Sequence, residues 1–181
     1  MAAPTLFPES GFRRLRLDIA YDGTHFFGWA TQPGHRTLQD LIEEAISRIS
    51  QTNIDSIVAG RTDAGVHATG QVIHVDVPDA MFERELTYLD LRYKLNRILD
   101  EDVRIMNVSD APEGFHARFS ALRRYYSYKI LDNNDVIAPL SRHDVASWYR
   151  PLDADRMNEA SALLLGCLLY TSPSPRDVEE S

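Results

Sequence analysis

The feature that most restricts the fold is a change of period that recurs along the chain. The stretch "RRLRLDIAYD" (13–22) alternates strictly, with Leu15, Leu17, Ile19 and Tyr21 on one side of an extended backbone and Arg14, Arg16, Asp18 and Asp22 on the other. That is the pattern of a half-buried strand. A loop punctuated by Gly and Pro follows, "GTHFFGWATQPGH". In it, Phe26, Phe27 and Trp29 read as packing residues rather than base platforms. Apolar residues then return at helical spacing. Leu38, Leu41, Ile42, Ala45, Ile46 and Ile49 predict an amphipathic helix over 38–50, with Thr37 as N-cap and Asp40 as a weaker capping-box partner. "DSIVAG" reads as a short strand ending at Gly60. Residues 71–77 alternate again, with Ile73, Val75 and Val77 inward and His74 and Asp76 on a solvent-facing side. A second helix is expected over 86–99, with Leu91, Leu95, Ile98 and Leu99 inward, and "VRIMNV" is a further strand. The order β-α-β-β-α-β is a split βαβ pattern. It predicts an α+β, ferredoxin-like (RRM-like) domain over 12–109, with an antiparallel sheet and helices on one face.

"SDAPEGFHAR" (109–118) is the candidate hinge to the start of a second, similar domain over 110–166. There, "RYYSYKIL" (124–131) predicts a strand with Tyr126, Tyr128 and Ile130 on one face, and Asp153 caps a helix that passes Met157, Ala160 and Leu164 to Gly166. One strand and one helix bury too little area to close a core, so the second domain is expected to be partial. Residues 167–181 have no periodicity and include Ser-Pro-Ser-Pro, the composition of a disordered or foreign tail.

Composition narrows the class. The 181 residues contain one cysteine, Cys167, which excludes a disulfide framework and a zinc site built on paired cysteines. No apolar run reaches the ~18 residues of a membrane span, and "MAAPTLFPESGFRR" lacks the regions of a secretory signal, so the expected compartment is the cytoplasm. The net charge of −8 argues against nucleic acid as a partner. The distribution argues otherwise: residues 104–130 hold 5 basic and 2 acidic side chains together with three tyrosines. A local basic and aromatic patch suits a selective RNA contact, while its bland alternative is a solvated strand edge.

Between the two strands lies "AGRTDAGVHATGQVIHVDV" (59–77), which a packed core does not explain. Gly60 and Gly65 permit a sharp bend that exposes a side chain. Arg61 and Asp63, two residues apart, project to the same side of an extended segment. A guanidinium there would keep the carboxylate ionised and oriented, as a nucleophile or base requires. The bland alternative is a turn salt bridge. His67, His74 and Asp76 match no familiar metal-ligand spacing. "TDAG" resembles half of an aspartic-peptidase site, but an adjacent Arg opposes the shared proton of such a pair. Arg124 and Tyr126 point the same way on their expected strand, suited to phosphate and to a base face respectively.

Four stretches together resemble the tRNA pseudouridine synthase A family: "YDGTHFFGWATQPGHRTLQDLIEEAI", "AGRTDAGVHATGQVIHVDV", "FHARFSALRRYYSYKI" and "PLDADRMNEASALLLG". The resemblance runs from about Arg14 to Gly166. It implies isomerisation of uridine to pseudouridine at nucleotides 38–40 of the tRNA anticodon arm. Asp63 would be the catalytic aspartate, Arg61 the arginine paired with it, and Tyr126 the tyrosine against the target base. Arg118, Arg123, Arg124 and His67 complete the candidate substrate-binding set. The family needs no cofactor or metal; its partners are tRNA and a second copy of the chain, with no DNA or membrane. The carboxylate could attack the base, attack the sugar or remove a sugar proton, and Arg61 or a neighbouring basic group could fill the space the base vacates. A non-catalytic RNA-binding module, an inactive fragment of the enzyme and an aspartic-type hydrolase are the competing readings. Three departures stand out. Tyr125 occupies a place where the family often has a basic residue, "CLLYTSPSPRD" after Gly166 resembles adapter or vector sequence, and the rest of the family's second domain does not follow.

Overall fold

The computed structural model describes residues 6–83, 85–133 and 135–166; the expected tail at 167–181 lies outside them. Two compact units are distinguished, one ending at Tyr125 and the other beginning at Tyr126.

The first unit contains strands β1 (Phe12–Tyr21), β2 (Ser56–Val58), β3 (Ala68–Pro78) and β4 (Val103–Asp110), with helices α1 (Leu38–Ser50) and α2 (Tyr88–Ile98). The sheet order is β2-β3-β1-β4, and every pairing is antiparallel. This is the split βαβ arrangement the periodicity predicts. Leu15, Leu17 and Ile19 of β1, Ile73, Val75 and Val77 of β3, and Val103 and Ile105 of β4 are buried in one core with Leu38, Ile42 and Ile46 of α1 and Leu91 and Leu95 of α2. Thr37 caps α1 by accepting the Asp40 N–H, and its hydroxyl donates to the Asp40 carboxylate. Helix α2 starts two residues later than expected, because Thr87 and Asp90 form a complete capping box. Ile98, expected inward, is partly exposed; the helix ends there and Leu99 takes the core position.

The second face of the sheet departs most from expectation. His74 is only 3% exposed, and Arg14 is buried beside it. Arg14 and Asp76 are opposite each other in the β1–β3 register and form a two-pronged ion pair, Nε to Oδ1 at 2.7 Å and Nη2 to Oδ2 at 2.8 Å. The expected hinge covers them. The Phe115 carbonyl accepts from Arg14 Nη1 at 2.9 Å, and the Ala117 N–H donates to His74 Nδ1 at 3.0 Å. His116 and Ala117 are buried too. Residues 110–125, which the sequence assigns to the second domain, therefore stay with the first unit. Alternation places His74 and Asp76 correctly on the far face, but it cannot show that a later segment returns to cover that face.

In the second unit, the expected strand over 124–131 is reduced to β5 (Ile130–Leu131), paired in parallel with β6 (Ala146–Ser147). A strand exists only where a neighbour completes its ladder, and among the described residues no ladder extends to 124–129. Helix α3 (Ala154–Ala162) begins at its expected cap: Asp153 accepts the N–H groups of Asp155 and Arg156. None of its residues is buried.

Candidate active site

The segment between β2 and β3 has little regular structure, yet it is held from three directions, by bonds to its backbone and to two of its side chains. From the end of β1, the Tyr21 hydroxyl bonds Thr62 Oγ1 at 2.8 Å, and the Gly23 N–H donates to His67 Nδ1 at 3.2 Å. From the loop after β1, the Trp29 N–H donates to the Thr62 carbonyl at 2.9 Å, while the Phe26 carbonyl accepts the Gly65 N–H at 3.2 Å. From β3, Gln71 Nε2 donates to the Gly60 carbonyl at 2.8 Å and reaches the Tyr21 hydroxyl at 3.3 Å. The loop closes on itself through the Val66 N–H and the Asp63 carbonyl at 3.2 Å. At Gly65 φ is +78°, a left-handed conformation that glycine adopts without strain.

These anchors grip the backbone on either side of Asp63 and leave its side chain exposed. Arg61 is exposed as well. Beneath them, Tyr21, Phe26 and Trp29 are buried, Trp29 at 1% exposure. Phe26 and Trp29 thus pack as the sequence suggests, whereas Phe27 does not: its ring is 51% exposed. Loss of solvent raises the pKa of the Tyr21 hydroxyl, so it stays protonated and available for its two partners. His67 is half-buried, with Nδ1 3.0 Å from Asp22 Oδ1. The same nitrogen faces the Gly23 N–H at 3.2 Å, which ties the ring to the turn after β1. The strand pairing is also irregular at this end. Ile19 faces Gln71, but Tyr21 faces Ala68, so β3 carries an extra residue where it leaves the loop.

Of the basic residues singled out, Arg118 and Arg123 are exposed, and the Arg118 guanidinium lies 5.9 Å from the Phe119 ring centre. Arg124 is exposed but occupied: Nη2 donates to the Ala59 carbonyl at the start of the loop. Its side chain packs against Gly60, where an added Cβ would lie 2.7 Å from Nε. Tyr126 opens the second unit and is 83% exposed. His74 and Asp76, weighed as metal ligands, are instead committed to Ala117 and Arg14. Among the described residues no group of three His, Cys, Asp or Glu side chains is arranged to hold a metal ion.

Sequence reasoning missed three supporting residues. Arg36 lies over the Phe26 ring at 3.9 Å and donates to Asp100 at 2.7 Å and to Asp102 at 2.8 and 3.0 Å. The Asp102 carbonyl in turn accepts the Asp22 N–H at 2.9 Å. Tyr21 and Gln71 are the others. Alternation placed Tyr21 on the core face, but its hydroxyl partners are 41 and 50 residues away, and no local pattern shows them.

The family model described as tRNA pseudouridine synthase matches residues 19–120, a segment that includes Asp63 and every anchor around it. A protein of Frankia casuarinae called tRNA pseudouridine synthase A is 49% identical over 157 residues, covering 86% of this chain and 56% of its own length. One of Streptomyces griseus with the same name is 50% identical over 160 residues, covering 87% and 56%, and one of Mycobacterium leprae is 46% identical over 162 residues, covering 84% and 56%. The chain thus spans about half the length of the curated relatives it matches.

Proposed function

We propose that this chain, which belongs to the tRNA pseudouridine synthase family, carries the reaction site of an enzyme that isomerises uridine to pseudouridine in the anticodon arm of tRNA. The observation that carries the reading is the presentation of Asp63. Its side chain is open to solvent, while the backbone one residue before and two residues after it is tied to a buried aromatic floor. A carboxylate presented in this way suits a substrate as large as a nucleotide that must first swing out of its stack, at a cost of a few kcal/mol.

In the isomerisation the glycosidic C–N bond breaks, the base turns, C5 of the same base bonds to the sugar carbon and gives up its proton, and the ring nitrogen freed from the sugar takes one up. No atom enters or leaves overall, so the site needs positioning and a carboxylate rather than a redox partner. Asp63 supplies the carboxylate, which engages the base or the sugar while the glycosidic bond is open. Arg61 orients it, and Arg61 or a neighbouring basic group fills the space vacated by the base; the contact with the uracil ring is the role that the resemblance gives Tyr126. Arg118, Arg123 and His67 contact the RNA backbone. Arg124 has a different part in this reading. Its bond to Ala59 makes it a brace for the loop rather than a phosphate ligand. The enzyme works in the cytoplasm as a homodimer. Among the described residues, no helix is long and apolar enough to cross a membrane.

The test is to incubate tRNA with the chain extended to the length of its relatives and to map pseudouridine by nucleotide. Asp63→Ala and Asp63→Asn should abolish modification while tRNA still binds. Full activity in either variant removes Asp63 from the chemistry. Binding without modification by the unaltered protein favours an RNA-binding module instead.

A further inference from the structure

Phe26, Phe27 and Gly28 form a short run whose two outer members both touch the reactive loop. The Phe26 carbonyl accepts the Gly65 N–H. Gly28, at φ +93°, lies so close to the loop that a Cβ would come within 3.0 Å of the Thr62 carbonyl oxygen and 3.3 Å of the Asp63 carbonyl carbon. Between them, the Phe27 side chain turns outward. The core makes no use of an aromatic ring at this position.

The ring is nevertheless held in place. The Phe27 N–H donates to the Arg36 carbonyl at 3.0 Å, and Gln32 Nε2 donates to the Phe27 carbonyl at 2.7 Å. The His35 ring lies against it, with centroids 4.2 Å apart and planes inclined at 34°. His35 is itself fixed through its N–H to the Gln32 carbonyl at 3.1 Å. A single exposed phenylalanine is ordinary on a protein surface. This one has both backbone polar groups satisfied and a second ring behind it, so its orientation costs little further entropy when a flat ligand arrives.

We propose that Phe27, backed by His35, is a stacking subsite for an unpaired nucleobase next to the uridine presented to Asp63. The inference rests on the reading of the chain as an RNA-modifying enzyme and adds to it a contact for the flanking nucleotide. Extruding one base removes a stacking partner from its neighbour, and an aromatic face beside the reactive loop replaces it. Every base has such a face, so the subsite tolerates sequence changes at the flanking position and requires only that the base be unpaired.

Two RNAs separate the possibilities on the protein extended to the length of its relatives: an anticodon stem-loop, and a blunt duplex with the same stem and no loop. Base–aromatic stacking sets the expected loss of stem-loop affinity in Phe27→Ala and Phe27→Leu at roughly 5- to 150-fold. Duplex affinity should change less than about twofold, and Phe27→Tyr should bind the stem-loop like the unaltered protein. Thermal unfolding of all three should match the parent, since the ring is outside the core. Phe27→Leu with full stem-loop affinity overturns the subsite, because the apolar bulk would then suffice without a ring. An equal loss on duplex and stem-loop also overturns it and assigns Phe27 to general contact. If the unaltered protein, extended to the length of its relatives, binds neither RNA, the enzyme reading falls together with the subsite. Intact binding with Phe27 silent removes the subsite alone.

Discussion

Gly23 offers the sharpest perturbation of the reactive loop, because the space there is measurable. A methyl group added as Cβ would sit 2.0 Å from the Val66 carbonyl oxygen and 2.5 Å from its carbon, in a buried position. Real Cβ contacts are not found under 3.0 Å, so the two backbones must separate by at least 1.0 Å, the difference between 3.0 and 2.0. The obstacle is a backbone carbonyl, which cannot rotate aside. The shift therefore falls on the 62–66 loop and loosens the Gly23–His67 bond. Overpacking of this kind costs about 1–3 kcal/mol of stability, and a misplacement of about 1 Å at a reacting group costs about 100-fold in rate. Gly23→Ala should thus lower single-turnover pseudouridine formation about 100-fold, while tRNA affinity changes less than about threefold. Urea unfolding measures the stability cost in parallel. Gly70→Ala is the control: nothing lies within 4 Å of its Cβ and its φ is not positive. It should leave rate and stability unaltered. Parental turnover in Gly23→Ala would mean that the loop's position, as set by Gly23 and Val66, does not matter to the reaction.

Two further outcomes concern the covered face of the sheet. Asp76→Ala strands the Arg14 guanidinium, whose side chain is 5% exposed, and should cost about 3 kcal/mol in urea unfolding; a change below about 0.5 kcal/mol would show that water reaches Arg14. Burial first, then the Arg14 charge and His116, lowers the His74 pKa from its ordinary 6.5 to about 4, and burial lowers His116 as well. The unfolded chain then binds a proton at a pH where the folded chain does not. Stability is therefore level above about pH 6.5 and falls as the pH drops toward 4, by about 2 kcal/mol for His74 after allowance for solvent screening. Urea midpoints between pH 7.5 and 4.5 measure the slope. His74→Gln should flatten it, and an unchanged slope in that variant would assign the acid sensitivity elsewhere.

The contrast between β1 and the segment after β4 shows what was legible and why. The alternation of Leu15, Leu17 and Ile19, the 38–50 helix with its Thr37 cap, and the split βαβ order are local or periodic signals, and the structure has all of them. What periodicity cannot register is a contact between distant segments made on the polar side of a strand. Arg14 and His74 look like solvent-facing residues until 115–117 arrive and supply a carbonyl and an N–H. The reactive loop follows the same logic. Glycines at 60 and 65 and the exposure of Asp63 are readable from residue type, because a bend with φ +78° favours glycine. The anchors are not, because Tyr21, Phe26, Trp29 and Gln71 reach the loop through backbone groups or through single side-chain atoms. The loop is anchored by the same distant contacts that made it unreadable. It owes its shape to β1, the Phe26–Trp29 run and β3, all elements of one sheet-and-helix core. A substitution in any of these three, or in the turn at Gly23 that joins the first two, should move Asp63 without touching it, and that is the effect the Gly23 variant isolates.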